Sequence, residues 1–302
     1  MKKVICILLT VLSVFLFFSG CNAKENTDKL NIVTTVFPPF DFARRIAGDK
    51  AEVTMLVRPG SESHSFEPTP ADIKKVTESD MFIMIGGENE NWAEKIIDSS
   101  NKEDKALRLI NSVELICAEE HDSHSHNHEY DEHIWTSPVN AIKMGKSIRD
   151  KLCEIDAENK EYYEENYKSF EKELLELDKD FKETLSSENI TLVFGDRFPF
   201  IYLVEEYGIN YKAAFPGCAE QTEPDISTLT ELIGYIKDNN ISTVFYTEFS
   251  SGKTADMLCS ETGAKKALLH SCHNVTKTEW EKGATYIFLM RKNLENIKIA
   301  LK

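Results

Sequence analysis

The chain has 302 residues and carries 51 Asp and Glu against 35 Lys and Arg, a formal net charge of -16 at pH 7. That length accommodates two domains of ordinary size. No basic cluster or basic helix interrupts the acidic balance, which excludes a nucleic-acid surface. No HExxH, GxSxG, Walker A or GxGxxG pattern occurs, so the common enzyme signatures are lacking.

The N-terminus reads Met1-Lys2-Lys3, then an apolar run from Val4 to Phe18, then Ser19-Gly20-Cys21. A basic start, a short apolar stretch and small residues before a cysteine describe an export signal over residues 1–20. The apolar run falls short of the ~20 residues that span a bilayer. Ser19-Gly20-Cys21 resembles the lipobox of bacterial lipoproteins. Cys21 is therefore expected to be acylated and to anchor the chain to a membrane through a polar tether, residues 21–28. Five further cysteines, Cys117, Cys153, Cys218, Cys259 and Cys272, are odd in number, irregularly spaced and without a CxxC. A full disulfide framework is not expected from that pattern.

Beyond the tether, apolar runs of strand length alternate with helical patterns. Leu30 to Val36, Val53 to Val57, Met81 to Ile85, Ile190 to Phe194 and Thr243 to Tyr246 read as buried strands. Pro70 to Glu78 and Ile226 to Asp238 read as helices, with Thr69 and Asp225 as N-caps. The alternation predicts an α/β fold with mainly parallel sheets. From Ala157 to Ser186 the chain lacks Pro and Gly. Tyr163, Tyr167, Phe170, Leu174, Leu177, Phe181 and Leu185 recur there at helical spacing. A helix of that length spans about 45 Å and is placed to bridge two lobes, residues 29–156 and 187–302.

Of the 8 histidines, 6 fall between positions 64 and 133. His64 follows the turn-forming Pro59-Gly60, and His133 precedes Ile134-Trp135, so both are expected on loops at element ends, where ligands are presented. Between them an acidic loop, residues 119–132, holds His121, His124, His126 and His128 with almost no apolar residue to bury. His270 and His273 flank Ser271-Cys272 after the apolar Ala267-Leu268-Leu269. Asp196 follows the strand ending at Phe194, at the carboxyl end where open α/β sheets place their sites. Imidazole and carboxylate at this density suit a divalent transition metal.

The chain resembles the cluster A-I substrate-binding lipoproteins of bacterial zinc and manganese ABC importers. The resemblance rests on Thr34-Thr35-Val36-Phe37-Pro38, Ile46-Ala47-Gly48-Asp49, Pro59-Gly60 through His64 to Pro70, Glu90 and Trp92, His133-Ile134-Trp135, Glu261-Thr262-Gly263-Ala264 and Tyr286 to Asn293. It implies two α/β lobes joined by one long rigid helix, with the metal held between them. His64 and His133 match family ligands. Where many members carry His or Glu in the first motif of the C-terminal lobe, this chain reads Gly195-Asp196-Arg197, and Asp196 is the nearest capable ligand. His270 takes the slot of the late acidic ligand, with His273 as an additional candidate and Glu248 next in order.

Three imidazoles and one carboxylate would make a tetrahedral set suited to Zn²⁺. Mn²⁺ would favour more oxygen donors, and copper or nickel would bind such nitrogens as well as zinc. The expectation is a monomeric, non-enzymatic, lipid-anchored protein outside the cytoplasm. It would capture Zn²⁺ as cargo and pass it to an ABC permease. The histidine-rich loop would act as an auxiliary metal site. The alternatives are a manganese-importing relative and a metal-dependent hydrolase.

Overall fold

The computed structural model describes residues 29–63, 65–117, 130–187, 189–215 and 224–302. The expected signal, the tether and Cys21 lie outside these residues. In the N-terminal lobe, β1 (Leu30–Thr34), α1 (Phe37–Ala47), β2 (Ala51–Met55), α2 (Pro70–Glu78), β3 (Met81–Met84), α3 (Asn91–Ser100) and β4 (Ala106–Arg108) alternate. Helix α4 (Pro138–Ile155) then leads into the long α5 (Lys160–Thr184). In the C-terminal lobe follow β5 (Thr191–Phe194), α6 (Ile201–Tyr207), β6 (Asn210–Ala213), α7 (Ile226–Asp238), β7 (Thr243–Tyr246), α8 (Lys253–Thr262), β8 (Lys265–Leu268), α9 (Lys277–Glu281) and α10 (Tyr286–Ala300).

The two sheets share one topology. Strand order is β2-β1-β3-β4 in the first and β6-β5-β7-β8 in the second, with every pairing parallel. In each sheet the chain reverses its direction of winding after two strands, between β1 and β3 and between β5 and β7. Carboxyl ends on either side of such a switch point diverge into a crevice that holds ligands. The central strands are the apolar runs legible in sequence. β4, β6 and β8 are short edge strands, partly exposed, and one-sided burial leaves a weak sequence pattern.

Local chemistry accounts for the element ends. Thr69 caps α2 through a reciprocal capping box with Asp72, and the Asp225 carboxylate caps α7 by accepting from Ser227 N–H. The strand expected to run to Val36 stops at Thr34, because Pro38 and Pro39 open α1 immediately afterwards. Gly195 is required by close approach rather than by a turn. A Cβ there would lie 2.5 Å from Ala255 Cα, so only glycine lets the end of β5 press on α8.

Helix α5 buries Tyr163, Tyr167, Phe170, Leu174, Leu177 and Phe181 along one face. It starts after a 3-10 turn, Ala157–Asn159. Its exposed side is tied to both lobes. Arg45 of α1 pairs with Glu173 and lies over the Phe170 ring at 4.8 Å, while Arg291 of α10 pairs with Asp180 at 2.9 Å. Each exposed pair is worth at most about 1 kcal/mol; the buried face dominates. Phe42 of α1 packs between Phe170 and Tyr286 of α10, with centroids at 5.1 and 5.0 Å. One apolar core therefore runs continuously through both lobes and the helix between them.

The lobes are also joined by polar contacts. The segment Ser271 to Val275 leaves the C-terminal lobe and bonds to N-terminal loops. Trp135 Nε1 donates to Ser271 O at 2.8 Å, Phe37 N to His273 O at 3.2 Å, and Gly60 N to Val275 O at 2.7 Å. Asn274 is 1% exposed and donates to both Arg58 O and Ser61 O at 2.8 Å, while its own carbonyl accepts from Val275 N. Replacing Asn274 by Ala should remove both donations to the Arg58 and Ser61 carbonyls. The expected cost is about 1–3 kcal/mol, measured as a lowered urea midpoint with an unchanged denaturant slope.

Candidate metal centre

Loops at the carboxyl ends of the two sheets, with the Ser271–Val275 segment, enclose a small cavity between the lobes. Ser61, Glu62, Ser63 and His133 line it from the N-terminal lobe; Arg197, Thr247, Glu248, Ser271, His273 and Asn274 line it from the other. Its volume is about 40 Å³. One water needs about 10–15 Å³ of such cavity volume, so the space suits an ion with a few small ligands rather than a metabolite.

His133 is 4% exposed and sits just before a one-turn 3-10 helix, Ile134–Thr136. Asp131 fixes it twice: one carboxylate oxygen accepts from His133 N at 2.8 Å and lies 3.0 Å from Nδ1. A carboxylate on Nδ1–H selects the tautomer whose lone pair is on Nε2. Asp131 is itself held, because Tyr202 Oη donates to its carbonyl at 2.8 Å. His273 approaches from the opposite lobe. Its ring stands edge-on to His133, with centroids 5.5 Å apart and planes at 88°, and packs 4.8 Å from the Trp135 ring. Ser63 Oγ lies 3.0 Å from His273 Nδ1. Two imidazoles from separate lobes thus converge on one cavity, each oriented through its Nδ1.

His270 is placed elsewhere. It is 2% exposed and does not line the cavity. Its Nδ1 accepts from Cys272 N at 2.9 Å, and its Nε2 lies 3.5 Å from Glu279 without closing a hydrogen bond. Its backbone is clamped by Asn293, which accepts from His270 N and donates to His270 O, each at 2.7 Å. Glu279, held ionised by His270 and by the Thr276 N–H and O–H, has its carboxyl lowered to about 2. Cys272 between the two histidines has φ of 62°. That left-handed turn points His270 into the protein and His273 into the cavity.

Asp196 is 7% exposed, and its carboxylate is engaged on both oxygens. One accepts from Thr247 N and Thr247 Oγ1 at 2.9 Å each, and the other from Arg197 N at 2.9 Å. Glu248 lines the cavity but accepts from both Ser271 N and Ser271 Oγ. Arg197 lines the cavity as well. His64, the adjoining residue to Ser63, lies outside the described residues, as do His121, His124, His126 and His128. Among the described residues no three His, Cys, Asp or Glu side chains gather as a metal-binding group, and Cys117, Cys153, Cys259 and Cys272 are free thiols. Sequence reading did not single out Ser63, Asp131 or Glu248's bond to Ser271. Asp131, two residues before His133, carried a usable signal, since a carboxylate at that spacing reaches back to the imidazole.

A second, smaller space lies beneath His273 and Ser63, lined by Glu90 and Glu132. Glu90 is 6% exposed; one oxygen accepts from Gly86 N at 2.8 Å and the other makes no hydrogen bond among the described residues. Burial raises its carboxyl to about 7, against the opposing Gly86 N–H and reinforced by Glu132. The neutral form is therefore favoured in the fold. This group's contribution falls as pH rises from the unfolded value near 4.5 through about 7. Glu90→Gln should gain up to about 3 kcal/mol at pH 8 relative to pH 4.5, seen as a widening gap in unfolding midpoints between variant and parent. A constant gap across that range would contradict the assignment.

A family model described as "Zinc-uptake complex component A periplasmic" matches residues 32–300. The zinc-binding lipoprotein AdcA of Streptococcus pneumoniae is 33% identical over 306 residues, covering 99% of this chain. The chain spans 61% of that relative's length. The high-affinity zinc uptake system protein ZnuA of Bacillus subtilis is 33% identical over 313 residues, covering 97% of each chain. Among solved structures, the Zn(II)-bound ZnuA-like domain of Streptococcus pneumoniae AdcA superposes with a TM-score of 0.77 at 32% identity, covering 90% of this chain and 98% of that domain.

Proposed function

The chain belongs to the family of zinc-uptake complex component A proteins, and from that membership we propose that it captures Zn²⁺ outside the cytoplasm and hands it to an ABC permease in the membrane. The single observation that carries the proposal is the pair of imidazoles, buried His133 and partly exposed His273, facing one another at a small cavity between the lobes. His64, which follows Ser63 in the sequence, is the third donor we propose. All three are neutral nitrogen donors, a set that suits zinc and disfavours manganese, which takes oxygen ligands. Asp196 and His270 act as supports. The first sets the Thr247–Arg197 turn; the second sets the backbone turn that presents His273.

Capture and delivery both follow from a site split between lobes. Ligands on opposite walls meet only when the lobes are apposed, and a small displacement separates them. Cys21 is proposed as the lipid anchor that keeps the chain at the membrane surface.

His133→Ala and His273→Ala should each weaken zinc binding at least tenfold, about 1.4 kcal/mol, by chelator competition. His270→Ala should unfold at lower denaturant yet still bind one zinc tightly. Tight binding by His273→Ala together with loss in His270→Ala, in folded protein, would assign the late ligand to His270 instead.

We further propose that His121, His124, His126 and His128 form a separate and weaker site. Deleting residues 119–130 should lower zinc stoichiometry in excess metal while leaving one tight site. If that deletion removes the tight site, the loop supplies a primary donor.

A further inference from the structure

His270 lies outside the cavity, yet two carboxylates flank its ring. Glu279 Oε2 is 3.5 Å from Nε2, and Glu248 Oε1 is 3.5 Å from Nδ1. A third neighbour fixes where the ring carries its proton. Cys272 N donates to Nδ1 at 2.9 Å, so Nδ1 must hold a lone pair. A neutral ring then carries its proton on Nε2. That N–H is buried and closes no hydrogen bond among the described residues; the carboxylate oxygen facing it belongs to Glu279. Glu248 would draw the proton to the other nitrogen, where it would meet the Cys272 N–H donor to donor. Its carboxylate is instead taken up by Ser271 N and Ser271 Oγ.

Resting on the zinc reading above, we propose that Glu279 is a positioning residue for metal capture: through the His270 imidazole it fixes the turn at Cys272 that presents His273 to the cavity. Glu279 stands in the first turn of α9, and its Oε2 accepts from Thr276 N at 2.8 Å and Thr276 Oγ1 at 2.7 Å, which holds the carboxylate in place. Trp280, the next residue of α9, packs on Phe40 of α1 with centroids 4.9 Å apart, so α9 is seated against the N-terminal lobe. The carboxylate favours the proton on the nitrogen that it faces, and in a buried site that attraction is weakly screened. With the proton on Nε2, Nδ1 accepts from Cys272 N and holds that residue at φ of 62°, a conformation uncommon outside glycine. His273 follows directly, its own N–H donating to Ser271 Oγ at 3.1 Å. Without the carboxylate the proton can pass to Nδ1, toward Glu248. The buried Cys272 N–H then loses its acceptor, and the turn loses its tie. Groups behind metal ligands act in this way, by orienting what they touch.

The test uses the full chain and reads the ring directly. Proton–nitrogen NMR correlations of the histidine rings, assigned by the signal lost in His270→Asn, should show His270 as the Nε2–H tautomer in metal-free parent protein. Glu279→Ala should move the ring toward Nδ1–H and weaken zinc binding about three- to tenfold by chelator competition. Glu279→Gln, whose amide oxygen still accepts from Nε2, should keep the parent tautomer and most of the affinity. Thr276→Val removes the hydroxyl that caps α9 but keeps the Thr276 N–H on Glu279. It should lower the urea midpoint and leave tautomer and affinity unchanged. In His270→Asn the side-chain oxygen can still accept from the N–H two residues on, so adding Glu279→Ala there should change zinc affinity no further. A parent ring protonated on Nδ1, or a parent-like tautomer or affinity in folded Glu279→Ala, overturns the inference and leaves zinc capture standing. So does an equal loss on Glu279→Ala in the His270→Asn background. Absence of zinc binding in the parent overturns the zinc reading itself, and the tautomer, read without metal, separates the two failures.

Discussion

The segment Ser271 to Val275 is the constraint on which the site depends. It belongs by sequence to the C-terminal lobe, but its hydrogen bonds go to Trp135, Phe37, Gly60, Arg58 and Ser61 of the N-terminal lobe. Most of these bonds involve backbone groups of both lobes, which fixes the segment's position to within a hydrogen bond's tolerance. Its placement brings His273 against His133. The long helix contributes rigidity behind this contact: its buried face shares one core with α1 and α10, so the lobes are coupled through packing at the back and hydrogen bonds at the front.

Much of the fold was legible in the sequence, and for a physical reason. Central strands buried on both faces read as unbroken apolar runs, and α5 carries its pattern over so many turns that a helix is the only consistent assignment. Thr69 and Asp225 marked helix starts because their side chains do the capping. The edge strands β4, β6 and β8 were weaker, since Lys265 and Lys266 or Asn210 and Lys212 reflect an exposed edge rather than a core. The resemblance to metal-importer lipoproteins, read from motifs such as His133-Ile134-Trp135, agrees with the family match over residues 32–300.

The site was less legible. Sequence reading gave His270 the late ligand slot and kept His273 as an additional candidate, whereas His273 is the one that lines the cavity. That depends on the left-handed turn at Cys272, a conformation that non-glycine residues adopt uncommonly and that no local signal announced. Asp196 stands at the strand end where site residues are expected, yet the structure commits its oxygens to Thr247 and to Arg197 N–H. A carboxylate's position follows from topology; whether it has lone pairs to give follows from neighbours far away in sequence. Arg197 illustrates the same limit from the other side. Its side chain lines the cavity, while its backbone N–H donates to the Asp196 carboxylate.

The central claim is that one zinc ion sits between the lobes, held by His133 and His273. The direct measurement is a crystal structure of zinc-loaded protein with anomalous scattering recorded on both sides of the zinc absorption edge. The account predicts a single strong anomalous peak within about 2.0–2.1 Å of a nitrogen of His133 and a nitrogen of His273. A peak coordinated by His270, or a well-ordered zinc contacting only one lobe, would contradict it.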